Sequence, residues 1–172
     1  MRVSSFFLRD DYSNIIGIVT ETLETFLALP GGSKSESIGG YFTVMSVKTG
    51  LVLLIVPIGE MFPEKIQKYF ELSQEKARRL LANQPHGISS WQTRDTELYK
   101  YGGAVKISTE LGGDEKGEGL ILSFSGLPEY GDEAIMLYTA IRGFDSDVLE
   151  AMKIAKISGN PFLIPLLAKI HA

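Results

Sequence analysis

The chain has only two histidines, His86 and His171, and they are the first residues to consider for acid–base or metal chemistry. Cysteine is absent, which excludes disulfides, thiolate nucleophiles and cysteine–zinc sites. Neither histidine has carboxylates at a spacing that would complete a zinc site. His171 stands at the C-terminal end of the sequence, where a chemical role is least expected. His86 follows Pro85, and its simplest interpretation is a solvated histidine in a loop.

Serines beside a glycine turn raise the possibility of acyl transfer. Ser123, Ser125 and Asp132 would need a histidine that is oriented by an acid, and His86 has no such acid near it in the sequence. Ser125 also lacks a glycine on both sides, as the turn that presents a nucleophilic serine requires. We therefore interpret Asp132 and its neighbour Glu133 as first-turn acids that complement a helix dipole.

The glycine-rich stretch 112–119 resembles a phosphate-binding loop only superficially. It lacks the Gly-Lys-Ser/Thr ending, and it contains three acidic residues that would repel phosphate. An apolar run typical of a strand follows it, where a phosphate loop would be followed by a helix. We therefore predict that this stretch is the tip of a β-hairpin.

Lys76 and the pair Gly102-Gly103 have the types of residue that bind small ligands. Lys76 can pair as a point charge with a carboxylate or propionate, and the two glycines would let the backbone approach a ligand closely. Each has a simpler interpretation. Lys76 is typical of the solvated flank of an amphipathic helix, and the glycines are typical of a turn that leads into a strand, which is the interpretation we favour.

The first half of the chain predicts a helix followed by a β-hairpin. Helical periodicity extends from Asp10 or Asp11 to about Leu29. Strands are predicted at 41–47 and 51–58, joined by a turn in which Gly50 is available for a positive φ. Because residues 51–56 are apolar at every position, we expect that strand to be central in the sheet and covered on both faces.

The second half predicts helices around a second strand pair. A helix begins at Pro63 and ends before Pro85, and Ser73 interrupts its apolar stripe in a way that could divide it in two. Residues that recur every three to four positions form the stripe, whereas Arg79 and other charged residues lie outside it. The later predicted elements are strands at 104–108 and 120–124, helices at 129–142 and 147–157, and an apolar segment at 161–167. This order predicts an α+β fold with an antiparallel sheet of at least four strands and helices packed on it.

Several short motifs resemble the GlcG/HbpS family, whose members are small α+β proteins with a profilin-like sheet. The matching segments are the strand–turn–strand at 43–53, Lys76-Ala77, Tyr101-Gly102-Gly103-Ala104-Val105, Ser125-Gly126 and Asp132-Glu133-Ala134. The resemblance covers about residues 10–144. It implies a single domain over 1–172, with a C-terminal helical extension from about residue 145.

The resemblance also implies a function, because members of this family include haem-binding proteins. Imidazole is the usual axial ligand of haem iron, so His86 becomes the candidate iron ligand. The resemblance and the aromatic segment after His86 place the rest of the candidate binding site at Lys76, Trp91, Tyr101, Gly102 and Gly103. We expect a small-ligand-binding or sensing protein, with haem or a related tetrapyrrole as the first candidate ligand. The alternatives are a non-catalytic dimerising scaffold and an enzyme of unknown reaction that uses the His86 loop.

Composition limits the partners. The 172 residues carry a net charge of −4 without a basic stripe, which argues against nucleic-acid binding. The longest apolar run, 51–58, is far shorter than the roughly 20 residues of a membrane span, so we expect a soluble, cytoplasmic protein. The C-terminal segment 162–170 is too apolar for a free tail. It either closes the core or forms a contact between copies, and the resemblance favours a homo-oligomer.

Overall fold

Helices and strands follow one another in the order that the sequence predicts. The structure is a computed structural model that describes residues 9–32, 38–109 and 119–170. The predicted hairpin tip at 112–118 and His171 therefore lie outside the described residues. The described helices are α1 (Arg9–Leu27), α2 (Pro63–Ala82), α3 (Glu129–Gly143), α4 (Val148–Ser158) and α5 (Leu163–Ile170), and the strands are β1 (Ile38–Ser46), β2 (Val52–Glu60), β3 (Ala104–Ile107) and β4 (Leu120–Ser125).

The four strands form one antiparallel sheet in the order β2-β1-β4-β3, with helices packed against it, so the predicted α+β class is confirmed. The hairpin turn is also confirmed, since Gly50 has a φ of +67° and its N–H donates to the Ser46 carbonyl. β1 pairs with β2 on one side and with β4 on the other. β4 is buried at every residue.

The predicted central position of strand 51–56 is wrong, because β2 is an edge strand of the sheet. Its residues Val52–Val56 are only half-buried. Leu54 and Val56 pack on one apolar cluster and Val52 on another, so the continuous apolar run reflects apolar contacts on both faces of a strand that is paired along one edge. The irregular pairing at Val44/Met45 and the proline at position 57 are typical of an edge strand.

Two apolar cores lie on opposite faces of the sheet. The larger lies between the sheet and α1, α3, α4 and α5. The smaller lies under α2 and is formed by Met45, Ala77, Leu80, Ala104 and Ile121. α2 continues through Ser73 without the predicted division, because the Ser73 hydroxyl is buried and lies 3.0 Å from Thr43 Oγ1.

The C-terminal segment takes part in the larger core. Leu163 and Leu166 are fully buried, and the Phe162 ring packs edge-to-face on Phe26 at 5.0 Å. Ile164 on the same helix is 66% exposed. α5 therefore closes the core through one of its faces. Within the described ranges, no helix combines the length and the apolarity needed to cross a membrane.

Candidate functional site

Lys76 lies in the interior, so the interpretation of this lysine as a solvated flank is wrong. It is 1% exposed. Its Nζ donates one hydrogen bond to Asp132 Oδ2 at 2.7 Å and another to the Phe124 carbonyl at 2.9 Å. The ammonium therefore joins the middle of α2 to the end of β4 and to the first turn of α3.

Asp132 is held by the backbone as well as by the lysine. Its Oδ1 accepts a hydrogen bond from the Leu127 N–H at 2.9 Å. Burial raises the pKa of Asp132 to about 6, although Lys76 and the backbone N–H groups favour the ionised form. The carboxyl is therefore ionised at pH 7 and forms an ion pair with the lysine. The expectation that Asp132 only complements a helix dipole missed this pairing.

The two glycines of the candidate site allow close packing around this ion pair. Gly103 has a φ of +116°, and a Cβ at this position would lie 2.6 Å from Asp132 Cβ and 3.0 Å from Lys76 Nζ. A Cβ on Gly102 would collide with the indole of Trp91. Both positions lead into β3 as predicted, but the close approach of neighbouring side chains also requires glycine there.

Arg79 holds the loop that follows α2. Its Nη1 donates to the Ser90 carbonyl at 2.8 Å and to Thr93 Oγ1 at 2.7 Å, and its Nη2 donates to the Tyr101 carbonyl at 2.6 Å. Only 11% of its side chain is exposed, so its predicted place on the solvated side of α2 is wrong. The planar guanidinium suits this task because it can reach several carbonyls at once.

Trp91 lies between an aromatic ring and a cation. Its ring stacks on Tyr130 with centroids 5.0 Å apart, and the Arg94 guanidinium carbon lies 4.9 Å from the ring centroid. Arg94 also makes two hydrogen bonds of 2.8 Å to Glu129. Burial acts to raise the pKa of Glu129, but Arg94 and the Gly102 N–H outweigh it and lower the pKa. Glu129 is therefore a firmly ionised acid.

Lys76, Asp132 and Glu129 lie in the wall of a cleft of about 290 Å³ between α2 and the start of α3. Two members of the predicted site, Lys76 and Tyr101, line it. Trp91, Gly102 and Gly103 are linked to its wall by the contacts described above. The cleft is lined by Lys68, Tyr69, Leu72, Lys76, Tyr101, Ser125, Gly126, Leu127, Pro128, Glu129 and Asp132.

His86 is not part of this cleft. It is exposed, in the loop after α2, and it is absent from the residues that line the cleft. Within the described ranges, no three histidine, cysteine, aspartate or glutamate side chains cluster closely enough to hold a metal ion. Sequence reasoning missed Glu129, Asp132 and Arg79 as site residues because each acts through a partner distant in the sequence.

No protein-family model, no curated protein and no solved structure matches this chain. The fold and the geometry of the cleft are therefore the observations from which a function can be argued.

Proposed function

We propose that this protein binds or senses a small organic ligand, and that the ligand occupies the cleft between α2 and α3. The observation that carries the proposal is the cleft itself. Its volume of about 290 Å³ lies near the lower end of the range of small-molecule sites. Apolar and polar groups both line it, among them Leu72 and Leu127 beside Tyr69 and Tyr101.

The charges around the cleft favour a ligand with a carboxylate. The two acids in the wall, Glu129 and Asp132, are each paired with a cation, Arg94 and Lys76. Lys68 adds a further positive charge to the lining. A carboxylate can pair with Lys68, and it can approach Lys76, whose charge is shared with Asp132.

Haem or a related tetrapyrrole is the first ligand to test, because the resemblance to the GlcG/HbpS family implies it. The residues fit this group only in part. Lys76 and Tyr101 share the cleft, whereas the candidate iron ligand His86 is exposed and lies outside the cleft lining. Binding through His86 and binding in the cleft are therefore separable proposals. The cytoplasm is the proposed location, in keeping with the absence of cysteine.

Titration with haemin, followed by the Soret band, tests the proposal. Leu72→Trp is designed to fill the cleft, and Lys65→Trp on the exposed side of α2 is the matched control. We expect Leu72→Trp to weaken binding at least about tenfold, which corresponds to about 1.4 kcal/mol, and Lys65→Trp to leave it unchanged.

His86→Ala separates the two modes of binding. If only His86→Ala weakens binding, the histidine holds the haem and the cleft does not. If haemin does not bind, haem is rejected. The same titration with benzoate, followed by amide chemical shifts of Tyr101 and Leu127, then asks whether the cleft takes a smaller carboxylate.

A dimerising scaffold is the second candidate, and the exposed face of α4 favours it. Val148, Leu149 and Met152 are 40%, 66% and 41% exposed and lie on neighbouring positions of the helix. Apolar side chains grouped in this way are typical of a contact surface. Sedimentation velocity at micromolar concentration tests the proposal. We expect a dimer that Leu149→Glu converts to a monomer, and a monomeric wild-type protein would reject the scaffold.

A further inference from the structure

Glu133 on α3 is a buried acid. It is 0% exposed. Neither of its carboxyl oxygens has a hydrogen-bond partner among the described residues. A buried carboxyl in this state is costly if it is ionised, because it has lost its hydration without receiving compensating hydrogen bonds. The free-energy cost of burying Glu133 is therefore lowest when its carboxyl carries a proton.

Trp91 supplies a hydrogen-bond donor that is likewise buried and unpaired among the described residues. Its Nε1 is buried and has no acceptor among the described residues, and the indole is one of the groups that act on the Glu133 carboxyl. An indole N–H can only donate, and an ionised carboxylate can only accept. The two groups are thus complementary, but they do not reach hydrogen-bond geometry in this structure.

The other polar groups that face Glu133 are neutral, and each makes a hydrogen bond to another partner. Ser158 and Asn160, at the end of α4, both act on the carboxyl. Ser158 Oγ donates to the Ala155 carbonyl at 3.1 Å. Asn160 donates to the Tyr130 carbonyl at 2.9 Å and accepts from the Phe162 N–H at 3.0 Å.

The charged groups of the surrounding elements are committed to other partners. Glu129, one turn earlier on α3, is paired with Arg94 from the loop that carries Trp91. Lys76 of α2 is paired with Asp132. The negative charge of Glu129 opposes ionisation of Glu133. The groups that act most strongly on the Glu133 carboxyl are Ser158, Asn160, Glu129 and Trp91, none of which is a cation.

We propose that Glu133 is a proton-operated switch: protonated, it leaves Trp91 in its contacts with Tyr130 and Arg94, and ionised, it accepts the Trp91 Nε1–H and draws the indole toward its carboxylate. The proton leaves Glu133 for solvent, and no other bond is made or broken. An ionised acceptor makes a hydrogen bond roughly twice as strong as a neutral one, which is the free energy available for the displacement.

The switch operates near neutral pH. Burial raises the pKa of Glu133 to about 7, while Ser158, Asn160 and Trp91 act in the opposite direction. An acid whose pKa is higher in the folded state stabilises the fold fully below its unfolded pKa, and this contribution is lost as the pH rises through the folded value. For Glu133 the loss spans the interval from about 4.5 to about 7.

A chain of contacts connects Trp91 to the wall of the cleft. Trp91 lies against Gly102, and the Gly102 N–H donates to Glu129 Oε1 at 2.8 Å in the cleft wall. Movement of the indole would therefore alter the wall. This consequence rests on the proposed ligand binding, whereas the switch itself does not.

Trp91 is the only tryptophan of the chain, so its fluorescence reports the switch directly. We expect the ligand-free, full-length protein to show one emission change between pH 5 and pH 9, with a midpoint near 7. Glu133→Gln, which mimics the protonated acid, should abolish it. Histidine ordinarily titrates in this range, so a His86→Gln/His171→Gln variant is the matched control and should retain the change. A transition that persists in Glu133→Gln, or that disappears in the histidine variant, overturns the proposal.

Carboxyl ¹³C NMR of the wild-type protein gives a test that does not depend on how Glu133→Gln folds. We expect one glutamate carboxyl resonance to titrate near pH 7. If every glutamate titrates below about pH 5.5, near the ordinary range of the residue, the switch does not exist. In thermal unfolding, Glu133→Gln should raise the melting temperature relative to wild type at pH 8 and not at pH 5. An equal effect at both pH values would contradict the proposal.

Discussion

Lys76 Nζ and Asp132 Oδ2 lie 2.7 Å apart, and only 2% of each side chain is exposed. Their ion pair fixes α2 to the first turn of α3, which are two of the elements that form the cleft. Removal of one partner from a buried pair leaves the other charged and unpaired, which costs more than the pair itself contributes. We therefore expect the fold to lose more stability when one of the two charges is removed than when both are removed.

Lys76→Met should lower the free energy of unfolding by about 3–5 kcal/mol, because Asp132 is then left buried without its cation. The double variant Lys76→Met/Asp132→Leu should lose much less than the sum of the two single variants. Urea unfolding measures all three. Arg142→Ala, which breaks the exposed Arg142–Glu21 pair at 3.0 Å, is the control and should cost less than about 1 kcal/mol. Additive losses would show that the two charges do not stabilise each other.

Gly103→Ala should destabilise the protein by about 3 kcal/mol, because a positive φ and two close neighbours both oppose a Cβ. Gly159→Ala isolates the first of these effects. Gly159 has a φ of +71° but no heavy atom within 4 Å of the added Cβ, so only about 1–2 kcal/mol is expected. Chemical denaturation compares the two variants. Equal losses would mean that Lys76 and Asp132 yield to the new methyl group without cost.

Amide hydrogen exchange should be slowest in β4. This strand is buried throughout and is paired with β1 on one side and β3 on the other. β2 is paired on one side only, so its amides should exchange faster. Mass spectrometry of peptides that cover 52–60 and 120–125 makes the comparison in one experiment. Slower exchange in the β2 peptide than in the β4 peptide would contradict this prediction.

Leu166→Ala should cost about 2–5 kcal/mol, because it opens a cavity under α5 in the larger core. Ile164→Ala on the same helix removes a side chain that is 66% exposed and should stay within about 0.5 kcal/mol. Thermal and urea unfolding measure both variants, and sedimentation reports whether either changes the assembly state. If Ile164→Ala alone alters sedimentation, the exposed face of α5 is a contact between copies.

Local patterns in the sequence were sufficient for most of the fold. Apolar periodicity and Pro63 located the four helices α1 to α4 to within about two residues, and Gly50 identified the hairpin turn. The helix α5 was expected only as an apolar segment at 161–167. The predicted position of β2 was wrong because apolar side chains on both faces of a strand do not show how many of its edges are paired. Pro57 was the available signal, since a proline cannot donate to a neighbouring strand and is typical of edges.

The site was less accessible to the sequence, because its contacts join residues far apart in the chain. Lys76 was selected as a ligand-binding candidate, but nothing local indicates that Asp132 is its partner. Arg79 and Glu133 look like ordinary surface residues of amphipathic helices, and only the packing of other elements around them shows that Glu133 is buried and that Arg79 is mostly covered. His86 was selected as a candidate iron ligand through the family resemblance, whereas the simplest interpretation from the sequence, a solvated histidine in a loop, agrees with its exposure.

The strand order has a consequence for how the chain acquires its fold. β1 is paired with β2 through a short local turn, but its other partner, β4, is placed by the register of Tyr41 opposite Ser125. A contact between segments so distant in sequence requires a large loop to close, and such contacts slow folding. During synthesis the hairpin can form early, whereas the sheet that completes both cores must wait until β4 has been made. Until then the apolar side chains of β1 remain unprotected, and this is the interval in which the nascent chain is most exposed to misassembly.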